Sequence, residues 1–219
     1  FDKYPFVSRK QGSADLVSIH TIPEVVTLIT KFKMGDIDEV HWSLPRKTLN
    51  EFKTNPNYSV AEHFDPRPWT VVMNNQKKPL DCPYVRKAIN HAFNKEVITT
   101  QILAGGKPLF GPIPDELRWG CTDIVSYPYN LEKSKEILKK SKYSAAELAA
   151  FKMDFAAVAG SERYKAVGLL FITDMKKIGL NVEIRAVRWN EICQAAKTPE
   201  SAYYFSLLAQ AAKVAHPYQ

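Results

Sequence analysis

Side chains able to do chemistry lie scattered along this 219-residue chain. The histidines, His20, His41, His63, His91 and His216, fall on separate segments, and none has a second ligand beside it at metal spacing. Each reads as a strand or surface histidine. Ser126 and Ser206 have no base next to them in sequence. No Gly-x-Ser-x-Gly, P-loop, His-Glu-x-x-His or Gly-x-Gly-x-x-Gly pattern occurs. Cys82, Cys121 and Cys193 lack metal spacing, and their odd number leaves at least one thiol unpaired. Three small buried hydrophobes is the preferred reading, with a Cys82–Cys121 bridge as the alternative. Catalysis therefore finds no support. Non-covalent capture does: Trp42, Trp69, Trp119 and the pair Arg188-Trp189 combine flat apolar faces with a fixed cation. Burial in a core is the competing role for each tryptophan.

These residues need elements to hold them. Residues 15–22 alternate roughly between apolar and polar, as in a half-buried strand. A helix opened by Pro23 and Glu24 follows, with Val25, Leu28, Ile29 and Phe32 on one face and Gly35 as its stop. Asp38 to Leu44 reads as another strand, completing a βαβ unit with a right-handed crossover. A short helix and polar turn cover 45–57, with Asn55-Pro56-Asn57 as the breaker. Tyr58–Phe64 and Thr70–Met73 are the next expected strands.

A helical corner comes after them. Val85, Ala88, Ile89, Ala92 and Phe93 form one apolar face, and Arg86, Lys87, Asn90 and His91 are expected on the wetted one. Pro83 suits a first turn. Asn94 is expected to cap a second helix with Gly105 as its left-handed stop. The stretch 108–128 holds Pro108, Pro112, Pro114 and Pro128 and reads as a long loop around Trp119. Asn130 then caps a helix with Leu131, Ser134, Ile137 and Leu138 inward. Ser144 and Glu147 make a capping box, with Tyr143 and Leu148 as its staple.

A second βαβ unit follows. Its first strand spans 151–158. Its helix begins at Ser161 or Glu162, with Tyr164, Val167, Gly168, Phe171, Met175 and Ile178 on one face and Gly179 as the stop. A strand over 180–187 closes the unit, and 203–208 adds a last one. The expected class is α/β. In such open sheets ligands sit beyond the carboxyl ends of strands, where Trp42, Trp69, Arg188-Trp189 and the run from Ala209 onward are delivered.

The composition, 45% hydrophobic and 24% charged, is that of a globular protein, with no apolar run long enough to span a membrane. The net charge of +7 comes from cations set singly or in pairs such as Lys77-Lys78 and Lys176-Lys177, which argues against a nucleic-acid partner.

Three runs, in order, carry a resemblance. Lys78-Pro-Leu-Asp81 with Val85-Arg-Lys-Ala-Ile-Asn-His-Ala-Phe-Asn-Lys-Glu-Val-Ile98 and Gly111-Pro-Ile-Pro114 is the first. Tyr127-Pro-Tyr-Asn-Leu-Glu-Lys-Ser-Lys135 and Asp174-Met-Lys-Lys-Ile-Gly-Leu180 are the others. Together they resemble the family 5 extracellular solute-binding proteins, the peptide- and nickel-type receptors of ABC importers. The resemblance implies a periplasmic-binding-protein-like fold (type II, peptide-binding class), with a mixed sheet and flanking helices. It implies that residues 1–219 are one α/β lobe, the second of two, with the first lobe absent from this stretch.

Implied partners are a peptide or other small solute, membrane-embedded ABC permease subunits and that first lobe, in the periplasm or, for a lipoprotein, at the outer face of a membrane. No cofactor is implied. Peptide binders of the family carry an acid shortly after the last strand of this lobe, to pair with the ligand amine. Here that run is Gln210-Ala-Ala-Lys213, so Lys213 stands in its place and suits an anionic group. The implied ligand-binding set is Lys213, Trp189, Arg188, Trp119 and Trp42. A regulatory or interaction module that keeps the fold without transport is the alternative.

Overall fold

A computed structural model describes residues 16–22, 24–41, 44–61, 68–103, 105–109, 111, 114, 124 and 126–209. It divides into two compact units, 1–60 and 61–219.

In the first unit, α1 (Val25–Met34) ends at Gly35, whose φ of 82° is the left-handed conformation expected of a glycine stop. Its Phe32 meets Phe52 of α2 (Arg46–Thr54) edge-on at 5.3 Å, and Tyr58 lies 4.5 Å from Phe52. The strand expected over 15–22 is not formed at the described residues 16–22, nor is that over 38–44 at residues 38–41 and 44. Residues 58–61 of the expected Tyr58–Phe64 strand are also irregular. The first βαβ unit is therefore absent among the described residues. Alternation prepares a segment for a ladder, but a strand also needs a partner.

The second unit is built on a four-stranded mixed sheet. Its strands are β1 (Trp69–Met73), β2 (Lys152–Val158), β3 (Asn181–Val187) and β4 (Phe205–Ala209), in the order β1-β4-β2-β3. Strands β2, β3 and β4 run parallel, whereas β1 is antiparallel to β4 with Trp69 opposite Ala209. The crossover from β2 to β3 is the long helix α7 (Glu162–Lys177), so the second βαβ unit forms as expected. Gly179, at φ 80°, turns the chain back into β3.

The apolar face of α7 supplies the core. Phe171 lies 4.9 Å from both Phe155 of β2 and Phe205 of β4, and 5.0 Å from Phe93; Phe155, Phe171 and Phe205 are all fully buried. Burying such rings is worth roughly 1.5–3 kcal/mol each.

The helical corner is α3 (Pro83–Ala92), a single turn α4 (Lys95–Val97) and a π-helical turn over Ile98–Ile102. All five apolar-face residues of α3 are buried. His91 departs from expectation, being only 3% exposed. Its Nδ1 is 2.9 Å from the Pro128 carbonyl and its ring meets Tyr127 edge-on, a polar group satisfied from across the chain.

Asn94 caps as expected, its side chain accepting from the Val97 N–H. The glycine with positive φ is Gly106, not Gly105, because the π turn carries the chain further: the Gly105 N–H reaches back to the Thr99 carbonyl. Beside this corner, α5 (Leu131–Leu138) is capped by Asn130, and α6 (Ala145–Ala150) carries the Ser144–Glu147 box. Leu148 is buried, and Tyr143 packs edge-on against Phe151. Cys82 is a buried free thiol but Cys193, on α8 (Trp189–Ala195), is exposed, against the expectation of burial; Cys121 lies outside the described residues. No helix of the described residues is long and apolar enough to cross a membrane.

Candidate binding site

The sheet's direction decides which residues converge. Strands β2, β3 and β4 all end at one edge, and the antiparallel β1 begins there. Trp69, foreseen at a strand's carboxyl end, is in fact the first residue of its strand. The antiparallel pairing still brings it beside Ala209.

After β2, Ala159 donates its N–H to the Val187 carbonyl at 2.8 Å, and Gly160 (φ 79°) turns the chain into α7. The first turn of α7 therefore starts at the same edge, bringing Arg163 and Tyr164. The Tyr164 ring lies 4.8 Å from Trp69, tilted by 45°. Arg163 is half-buried, and that burial pushes its guanidinium below the ordinary arginine range. The positive end of a 16-residue helix faces this same rim.

Further along the edge, β3 delivers Arg188 and Trp189. Trp189 opens α8 and is 44% exposed. Arg188 is the residue before that helix. Its Nε and a terminal nitrogen donate to Glu191 Oε1 at 2.8 and 2.6 Å, while its backbone N–H donates to Glu191 Oε2 at 3.1 Å. Those bonds hold the Glu191 carboxyl below its ordinary value. The Arg188 guanidinium thus already has a carboxylate, and the pair sits in solvent as a capped helix start.

Trp42, Trp119 and Lys213 lie outside the described residues, as do His63 and His216. His20 and His41 are exposed. Among the described residues no group of His, Cys, Asp or Glu is placed to hold a metal ion. A surface depression of about 600 Å³ along the outer face of α5 is lined by Asn130, Glu132, Lys133, Lys135, Glu136 and Lys139. It offers mixed solvated charge and no aromatic wall. The edge that holds Trp69, Tyr164 and Trp189 is the better-built site.

Tyr164, expected on the core face of α7, does pack against the core together with Trp69, and its place in the first turn of α7 also brings it to this edge.

A mixed sheet with helices packed on it is the fold of the type II, peptide-binding class of periplasmic binding proteins. The family is more specific than that. Residues 1–218 match the family of bacterial extracellular solute-binding proteins, family 5 (middle region), and the chain belongs to it.

Heme-binding protein A of Haemophilus influenzae is 27% identical over 188 residues, 85% of this chain and 34% of that protein. The dipeptide-binding protein of Escherichia coli is 32% identical over 133 residues, 58% of this chain and 24% of its own length. The chain thus spans about a third or less of these curated relatives. Among solved structures, the periplasmic binding protein DppA of Helicobacter pylori, in complex with a peptide, superposes with a TM-score of 0.76. It is 25% identical, with 90% of this chain and 37% of that one covered. NikA of Brucella suis, in complex with Fe(III)-EDTA, shares the fold at a TM-score of 0.75 and 16% identity, over 90% of this chain and 41% of that one.

Proposed function

We propose that this chain supplies one α/β lobe of a two-lobe receptor that captures a peptide or another small solute for an ABC importer, in the periplasm or, as a lipoprotein, at the outer face of the membrane. Its work is binding and closure, with no bond chemistry. The observation that carries this reading is the contact of Trp69 with Tyr164 at the edge where β2, β3 and β4 end, with Arg163 and the exposed Trp189 along that same edge, in a chain of family 5. The names of relatives that bind heme, dipeptides or a peptide support a solute of that size.

The proposed contact set is Trp42, Trp119, Arg188, Trp189 and Lys213, joined by Trp69, Arg163 and Tyr164. Arg188 takes part with its charge already shared with Glu191, so it orients Trp189 and the rim. Lys213 is the cation that selects an anionic group, in the run that continues from β4. The permease subunits and the other lobe are the proposed partners, and an open rim enclosed by neither binds weakly.

The test is a titration of the chain with short peptides, chelated nickel and heme at millimolar concentration, read by NMR. Shifts concentrated on Trp69, Tyr164 and Trp189, and tens-fold weaker binding of the anionic solute in Lys213→Asp, are expected. Shifts that avoid this edge for every solute would favour the alternative, a module that keeps the fold for interaction alone.

A further inference from the structure

We draw no further inference here: the strongest candidate, the side-chain cluster of Cys82, Asp81, Lys142 and Tyr143 at the start of α3, holds a lone buried thiol beside charged groups that satisfy one another, and nothing among the described residues points to a ligand there.

Discussion

Replacing Asp174 by alanine should unfasten the helical corner from α7. The carboxylate is fully buried, yet its two contacts differ in kind. Oδ2 accepts the backbone N–H of Asn94 at 3.0 Å, the residue that caps α4. Oδ1 accepts from Lys177 Nζ at 2.7 Å, but the Lys177 side chain is 43% exposed. Removing the acceptor leaves the Asn94 N–H without a partner, about 1–3 kcal/mol. The ion pair, with its ammonium in water, adds about 0.5–1 kcal/mol. The small void adds about 1 kcal/mol. Asp174→Ala should therefore lose about 2.5–5 kcal/mol, or roughly 5–20 °C in melting temperature for a chain of this size.

Asp174→Asn keeps an acceptor for Asn94 and should lose about half as much, and Lys177→Ala less than 1 kcal/mol. Scanning calorimetry gives the order, and hydrogen exchange at the Asn94 amide, faster only in the alanine variant, gives the place. The pair also has a pH signature. The hydrogen bond to Asp174 raises Lys177 above its ordinary 10.5. Its small contribution is thus complete below that value and fades as pH rises through the folded one. An Asp174→Ala loss below 1 kcal/mol, or a Lys177→Ala loss equal to it, would refute the division of labour.

The acid side is set elsewhere. At Asp81, burial pushes the carboxyl up but the hydrogen bonds from Lys142 (2.6 Å) and Tyr143 (2.8 Å) outweigh it and hold the group below its ordinary 3.8. That stabilisation is complete above 3.8 and lost as pH falls through the lower folded value, so Asp81→Asn should cost about 1 kcal/mol at neutral pH and flatten the acid limb of a stability–pH curve; an unchanged limb would count against it. In α7, a Cβ at Gly168 would lie 2.6 Å from the movable tip of Ile184 but 3.2 Å from the ring of Phe155, which Phe171 and Phe205 hold in place. Gly168→Val should then lose about 2 kcal/mol in urea unfolding, and a variant as stable as the parent would show that helix and sheet are not so close.

Much of the sheet unit was legible because its signals are local. The spacing of Val85, Ala88, Ile89 and Ala92, the Asn130 cap, the Ser144–Glu147 box and the Gly179 stop each depend on residues a turn or two away. What sequence missed was settled at long range. His91 has the chemistry of a surface residue, and only the Pro128 carbonyl, 37 positions on, makes its burial affordable. Asp174 sits among apolar residues as part of a motif, and its partner Asn94 lies 80 positions away. The alternation at 15–22 and 38–44 is real, but no periodicity reports whether a partner strand is at hand. The rim was half legible: Arg188-Trp189 follows from strand direction, whereas the meeting of Trp69 with Tyr164 depends on β1 lying antiparallel to β4.

The long helix joins the buried anchor of the sheet unit to the proposed solute-binding edge. Tyr164 and Asp174 are ten residues apart on α7, about 15 Å along its axis. At one end the helix offers its first turn to the rim. At the other its buried carboxylate fixes the corner, where Lys95 Nζ donates to the Tyr127 carbonyl at 3.1 Å and the Asn130 N–H to that of His91 at 2.8 Å. Groups this far apart act additively to within a few tenths of a kcal/mol unless a coupled element joins them. A substitution at the exposed Trp189 should therefore change affinity with little effect on melting, and corner substitutions the reverse. The double variant Tyr164→Ala with Asp174→Asn tests this. If its affinity loss exceeds that of Tyr164→Ala alone by more than about 0.5 kcal/mol, α7 transmits the state of the corner to the rim, and closure on solute involves the corner as well as the edge.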